Sequence, residues 1–278
     1  MPQALIIGKE GQDLHKLEKI QYCVQDGAAV IHMNCPGNLN AIDERMAEEL
    51  DLALAFAEEN PKAGIVVLKG LERAFSAGGD IRFFYDQIQA GGEVDMDGLI
   101  GRVGAVADRM KKMGKLIIAA VSGVAAGAGV SLALGADFIL CTEETRFILA
   151  FVNLGLVPDT GAAYLLSRSI GAARALELAV TGRPVGAAEA KQLGLVYKVV
   201  PAGDLDQAVM DLASRLAKGP LVSYANIKKQ IYDASFADYR KWLDETEVPT
   251  QHECSNTVYF REGVRAFMEK RRPVFTGK

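Results

Sequence analysis

With 278 residues, half of them hydrophobic, the chain can bury a substantial core, as one large domain or two small ones. A net charge of −4 and a pI near 5.6 leave no electrostatic footprint for nucleic acid or for an anionic membrane surface. Four widely spaced cysteines without a Cys-x-x-Cys give no zinc site or disulfide framework, so a reducing cytoplasm is the expected compartment.

Met1–Lys19 reads as an irregular lead-in without a signal pattern. Ile20–Val24 and Ala28–Met33, separated by Gln25-Asp26-Gly27, predict a β-hairpin, because Asp-Gly supplies the positive φ angles of a tight turn. A helical pattern then runs from Ile42-Asp43 to Ala57, with Asp43 as cap candidate. Gly64–Lys69 is a short apolar run suited to a buried parallel strand. Strand, helix, strand is the rhythm of an α/β protein. The segment about 88–96 reads as a mobile loop, and Leu99–Met113 as a helix. Helices are further expected over Gly161–Ser169, Ala172–Thr181 and Ala187–Gly194, and a strand over Leu195–Val200. From Leu205 onward the pattern is helical almost to the end. The most apolar stretch, Leu116–Leu140, is broken by Gly123, Gly127, Gly129 and Gly135 and carries Asp137, so no membrane span is read.

Two stretches carry chemistry. In Leu116–Leu134 an apolar strand breaks at Ser122-Gly123 and places Ala128 between Gly127 and Gly129 just before a helix. Such a turn leaves N–H groups unpaired at the positive end of a helix dipole, a site for an oxygen that gains negative charge. A second glycine-rich turn, Ala74-Phe75-Ser76-Ala77-Gly78-Gly79-Asp80-Ile81, follows the strand at Gly64–Lys69. Downstream, Val157-Pro158-Asp159-Thr160-Gly161 sets one carboxylate in a tight turn among apolar neighbours.

Phe75–Asp80, Ala120–Gly129, Asn153–Gly161 and the tail Glu262–Arg271, in this order, resemble the crotonase (enoyl-CoA hydratase/isomerase) superfamily, with the likeness running from about Ile20 to the C-terminus. The resemblance implies an α/β spiral of ββα units over 20–203 and a helical, trimerising region over 204–278. It implies an acyl-CoA thioester substrate, no metal or redox cofactor, no nucleic-acid or membrane partner, and a homotrimer or homohexamer. Carried over by position, two backbone N–H groups that stabilise a thioester enolate fall on Ser76 and Ala128, in turns bordered by Gly127 and Gly79. Ala74, Ala77, Gly78, Asp80 and Ile81 would line the CoA chain. Phe267 and Lys270 match residues that contact the adenine and a phosphate, and the last helix would complete the CoA site of its own subunit or a neighbour.

The two glutamates of hydratases correspond here to Ser131 and Phe151, which cannot serve as bases. Asp159 stands where single-acid isomerases carry their carboxyl, and burial among Phe151, Leu156 and Val157 would raise its pKa. The expected activity is therefore a double-bond shift, 3-enoyl-CoA to 2-enoyl-CoA or a ring or epoxide analogue, with Asp159 as acid and base. Alternatives are an enoyl-CoA hydratase, an aryl-CoA dehalogenase or hydrolase with Asp159 as nucleophile, or a non-catalytic thioester-binding protein. Each motif also has a plainer reading. Asp159 could cap the following helix, Asp80 could do no more than cap its own, and Ser131 reads as a packing or substrate-contact serine, since His15, His32 and His252 lie outside the motifs. The Lys270-Arg271-Arg272 run could be a solvated helix end. The acyl pocket is expected from about Phe83–Gly101 and the tail.

Overall fold

The computed structural model describes residues 5–6, 15–91 and 93–277. Strand β1 (Leu5–Ile6) pairs antiparallel with β2 (His15–Lys16), so the lead-in contains one ordered backbone ladder; the rest of that expected irregular segment up to residue 14 lies outside the described residues. The expected hairpin is β3 (Ile20–Gln25) and β4 (Ala28–Met33), turned by Asp26 and Gly27 at φ 50° and 79°. Helix α1 (Glu44–Glu59) follows, and the Asp43 carboxylate accepts from Met46 N at 2.9 Å as the expected cap.

The chain then repeats a two-strand unit. Strand β5 (Ile65–Lys69) leads to β6 (Ala74–Ser76), then to α2 (Ile81–Ala90) and α3 (Asp97–Lys112). Helix α2 takes in Ile88–Ala90, so the connection between the helices is shorter than the expected loop about 88–96. Strand β7 (Leu116–Val121) leads to β8 (Val124–Ala126) and α4 (Ala128–Gly135). Strand β9 (Phe138–Thr142) leads to β10 (Arg146–Ile148), a 3-10 turn over Ala150–Leu154, α5 (Ala162–Ile170) and α6 (Ala172–Thr181). Then come β11 (Pro184–Gly186), α7 (Ala187–Gln192), β12 (Lys198–Val200) and α8 (Leu205–Ala217).

The first strands of the units build one sheet in the order β12-β9-β7-β5-β4-β3, parallel except at the β3–β4 hairpin. Alternation sorts its side chains. Val66 and Leu68 face the main core with α1, whereas Ile65 and Val67 face Leu205, Val209 and Leu212 of α8. The second strands build a smaller sheet, β11-β10-β8-β6. Each is only three residues long, and this sheet gave no pattern in the sequence.

Helices α9 (Leu221–Phe236), α10 (Tyr239–Trp242), α11 (Val248–Ser255) and α12 (Val258–Met268) form the helical region, with a π-helical turn over Leu243–Glu247 between α10 and α11. Helix α9 is tied to the core by a buried cation. Lys228 Nζ pairs with Asp137 at 2.9 Å and donates to the carbonyls of Met110 and Lys115 at 2.7 and 2.9 Å, while Tyr232 donates to the other Asp137 oxygen at 2.7 Å. The α12 backbone presses on the 3-10 turn: a Cβ at Gly263 would stand 2.6 Å from Leu154 Cα. Among the described residues no helix is long and apolar enough to cross a membrane.

Candidate active site

The two glycine-rich turns meet. A Cβ at Gly78 (φ 90°) would lie 2.8 Å from the carbonyl oxygen of Ala126, and one at Gly129 would lie 2.8 Å from Ser76 Cβ and 2.9 Å from its carbonyl oxygen. Only glycine permits this approach, and it brings the turn after β6 against the start of α4. Above the junction lies a cavity of about 290 Å³. Its floor includes Ala77, Gly78, Gly79, Gly127 and Ala128, its sides are apolar residues of α2 and α3 with Phe151 and Leu156, and Phe267 stands at the tail side.

The amides of the two turns are of two kinds, paired and unpaired. Ala77 N donates to Leu39 O at 2.9 Å, Gly78 N to Ser76 Oγ at 3.1 Å, and Gly127 N to Ile148 O at 2.9 Å. The Gly79 and Ala128 N–H groups, both on the cavity wall, donate to no protein acceptor among the described residues. Ser76 was the expected first donor. Instead it lies fully buried within β6, off the wall, its hydroxyl donating to Asn40 O at 2.8 Å. The position three residues on, Gly79, has the free amide, because the chain must first leave the β6–β8 ladder before an N–H can face the cavity.

Asp159 is the one carboxylate on this wall among the described residues. It is 6% exposed, and burial pushes its pKa up to about 7 despite hydrogen bonds from Gln251 and Thr160. It is not a helix cap: the α5 N-cap is Gly161, and Ala162 N bonds to the Asp159 carbonyl instead. The turn around it is strained, with Thr160 at φ 55° and Gly161 at φ 87°. A β-branched residue in the left-handed region persists only where its surroundings over-determine it. Here Ser131 Oγ and Thr160 Oγ1 donate to the Asp159 carbonyl at 3.0 and 2.7 Å, Gly161 N donates to Glu247 at 2.9 Å, and Gln251 Nε2 donates to Asp159 Oδ2 at 2.7 Å.

Ala77, Gly78, Gly79, Ile81, Gly127, Ala128, Phe151, Asp159 and Phe267 thus share one cavity. Ala74 and Ser131 are buried behind it. Asp80 is off the wall and caps α2 by accepting from Arg82 N at 3.0 Å. Lys270, at φ 55° just past α12, is exposed and also off the wall; the neighbouring Arg271 lines the cavity while pairing with Glu262 and Glu269 at 2.6 Å. Phe84, Met96, Leu99 and Ile100, within the stretch expected to shape the acyl pocket, are on the wall. Glu247 and Gln251 are the residues that sequence reasoning missed. They sit about ninety residues from Asp159 in a helical tail whose pattern shows only apolar spacing.

The sequence profile of the enoyl-CoA hydratase/isomerase family matches residues 24–278. The chain belongs to that family. As a member it is an enzyme of the hydratase/isomerase type, with an acyl-CoA thioester as the substrate consistent with its family. Among its relatives are the trans-2-decenoyl-[acyl-carrier-protein] isomerase of Streptococcus mutans, 34% identical over 94% of this chain and 99% of the relative, and the 1,2-epoxyphenylacetyl-CoA isomerase of Escherichia coli, 35% identical over 94% and 100%. A crystal structure of an enoyl-CoA hydratase from Mycobacterium avium subsp. paratuberculosis superposes with a TM-score of 0.84 at 30% identity, over 94% of this chain and 99% of that one. The family therefore holds both chemistries, and the mixed α/β fold of ββα units with a helical C-terminal region matches its solved members.

Proposed function

We propose that the protein is an acyl-thioester double-bond isomerase in which Asp159 carries the proton. The observation that supports this most is, among the described residues, a single carboxylate on the cavity wall beside two amides with no protein acceptor. The thioester carbonyl oxygen accepts from Gly79 N and Ala128 N. Asp159 removes a proton from one carbon next to the double bond, the electrons move onto that oxygen as an enolate, and the carboxyl, whose proton exchanges with water in the cavity, delivers a proton to the far carbon as the double bond shifts. The substrate and product are isomers, so the step consumes nothing and needs no metal or redox group. Amide donors aimed at developing charge contribute about 3–4 kcal/mol each in comparable sites. A base with pKa about 7 suits the task, being half ionised at neutral pH yet basic enough to take a carbon acid's proton. Two-acid hydration lacks its second acid, since Phe151 is on the wall and Ser131 is behind it. The carrier is CoA, with the adenine against Phe267 and phosphates near the cationic tail. The chain assembles as a trimer or a dimer of trimers, supported by the exposed Val222, Ile227 and Ile231 along α9.

The test is incubation with 3-enoyl- and 2-enoyl-CoA in deuterated water. Interconversion with label entering the carbons flanking the double bond supports the reading. Net addition of water as the dominant reaction identifies a hydratase and overturns it.

A further inference from the structure

Behind Asp159, away from the cavity, lies Gln251 of α11, with no exposed surface. Its side chain is used at both ends. Nε2 donates to Asp159 Oδ2 at 2.7 Å, and Oε1 accepts from Val157 N at 3.1 Å. One amide thus spans the turn, holding the carboxyl and the backbone two residues before it. Four residues earlier, Glu247 closes the π-helical turn and accepts from Gly161 N, gripping the other side of the same turn. A π-turn widens the helix locally, and here it occurs where two side chains must reach one loop.

We propose that Gln251 is the positioning residue for Asp159, fixing Oδ2 so that Oδ1 is the oxygen that exchanges the proton with substrate. The inference rests on Asp159 being the proton carrier. The choice of residue type follows from charge. An arginine or lysine at this place would hold the carboxylate ionised and weak as a base, while a hydrophobic side chain would leave Oδ2 without a donor and the ring of contacts open. A neutral amide orients the group and moves its pKa only partly back down. The other ionisable groups around Asp159 agree with this. Glu247, raised to about 9 chiefly by burial and next by Asp159, is neutral near pH 7. Tyr239, whose buried hydroxyl has no hydrogen-bond partner among the described residues, is raised above its ordinary range by burial, so it too is neutral. Arg271, on the cavity wall, is occupied by Glu262 and Glu269. The donor from Gln251 is therefore the orienting contact on the Asp159 side chain that comes from the helical tail.

Two variants remove the amide's contacts. Gln251→Leu and Gln251→Met each take away both the donor to Asp159 and the acceptor for Val157 N at nearly constant volume. The readout independent of turnover is the carboxylic-acid C=O infrared band of Asp159, identified by its loss in Asp159→Asn and titrated in the wild type and both variants. Its midpoint should rise by about one pH unit in both, as expected when a hydrogen bond to the charged form is lost. In parallel, the acid limb of kcat should move up by the same amount, with kcat at pH 6 falling about ninefold and returning close to the wild-type value at pH 9, while KM changes less than threefold. An unmoved infrared midpoint in folded variants, or a loss of kcat equal at all pH values, overturns the positioning role. If the midpoint moves but neither wild type nor variants isomerise 3-enoyl-CoA, the positioning stands and the isomerase reading fails.

Discussion

Gly129→Ala probes the junction that creates the amide pair. The added Cβ would lie 2.8 Å from Ser76 Cβ, 2.9 Å from its carbonyl oxygen and 3.1 Å from its hydroxyl. Ser76 cannot retreat, since its hydroxyl donates to Asn40 O and accepts from Gly78 N, and Asn40 in turn donates to Phe75 O at 3.0 Å. The start of α4 must therefore move off β6 by roughly half an ångström to restore an ordinary carbon–oxygen contact. Overpacking of this kind costs about 1–3 kcal/mol, and alanine's better helix propensity returns less than about 1 kcal/mol of it. The melting temperature should fall by about 2–4 °C per kcal/mol lost. Since Ala128 moves with the helix, its N–H leaves the oxyanion position; a 1 Å misplacement costs about 100-fold, so half of that costs about tenfold in kcat. Thermal melts and kcat on 3-enoyl-CoA test both parts. Gly101→Ala is the control: it lies within α3 with nothing within 4 Å of the new Cβ, and should stabilise by about 0.5–1 kcal/mol. A Gly129→Ala protein as stable and as active as the wild type would refute the close-approach reasoning.

Asp159 must be ionised to accept the proton, so kcat should fall as pH drops through about 7, measured as an acid limb in the rate profile. The same shift has a stability sign. Asp159 and Glu247 have folded pKa values raised above their unfolded ones by burial, so the folded state holds extra protons, and stability is lost as pH rises through about 7 and about 9. Melts from pH 5 to 9 should show that decline, flattened in Asp159→Asn by about 1.4 kcal/mol per unit of separation. Lys228→Ala should destabilise by about 3–5 kcal/mol in chemical denaturation, because Asp137 is left buried without its cation. Addition of water to 2-enoyl-CoA, followed by loss of the conjugated thioester absorbance, should be much slower than isomerisation, because Phe151 and Ser131 offer no second acid.

The parts of the fold legible in sequence were those with a local cause. Asp26-Gly27 announces its turn by conformational need, Asp43 its cap, and Ile65–Lys69 its burial by an unbroken apolar run. Strands β8, β10 and β11, three residues each, are too short to show a period of two, and they pair with segments far along the chain. The same split holds in the site. Asp159 stood out as an acid in an apolar turn, and Gly127–Gly129 as a turn before a helix. Which amide of Ala74–Gly79 stays unpaired depends on where the β6–β8 ladder ends, and that is set by tertiary pairing. Gln251 and Glu247 are ordinary polar residues in a helix until the fold turns them toward Asp159 and Gly161, respectively.

The most direct test of the central claim is Asp159→Asn, assayed for 3-enoyl-CoA isomerisation and, in parallel, for acyl-CoA affinity by calorimetry. The substitution keeps shape and removes the base. Turnover should fall about 100- to 10,000-fold while affinity changes little, because the cavity and the Gly79 and Ala128 amides remain. Turnover equal to the wild type in the folded variant would contradict the assignment of proton transfer to Asp159.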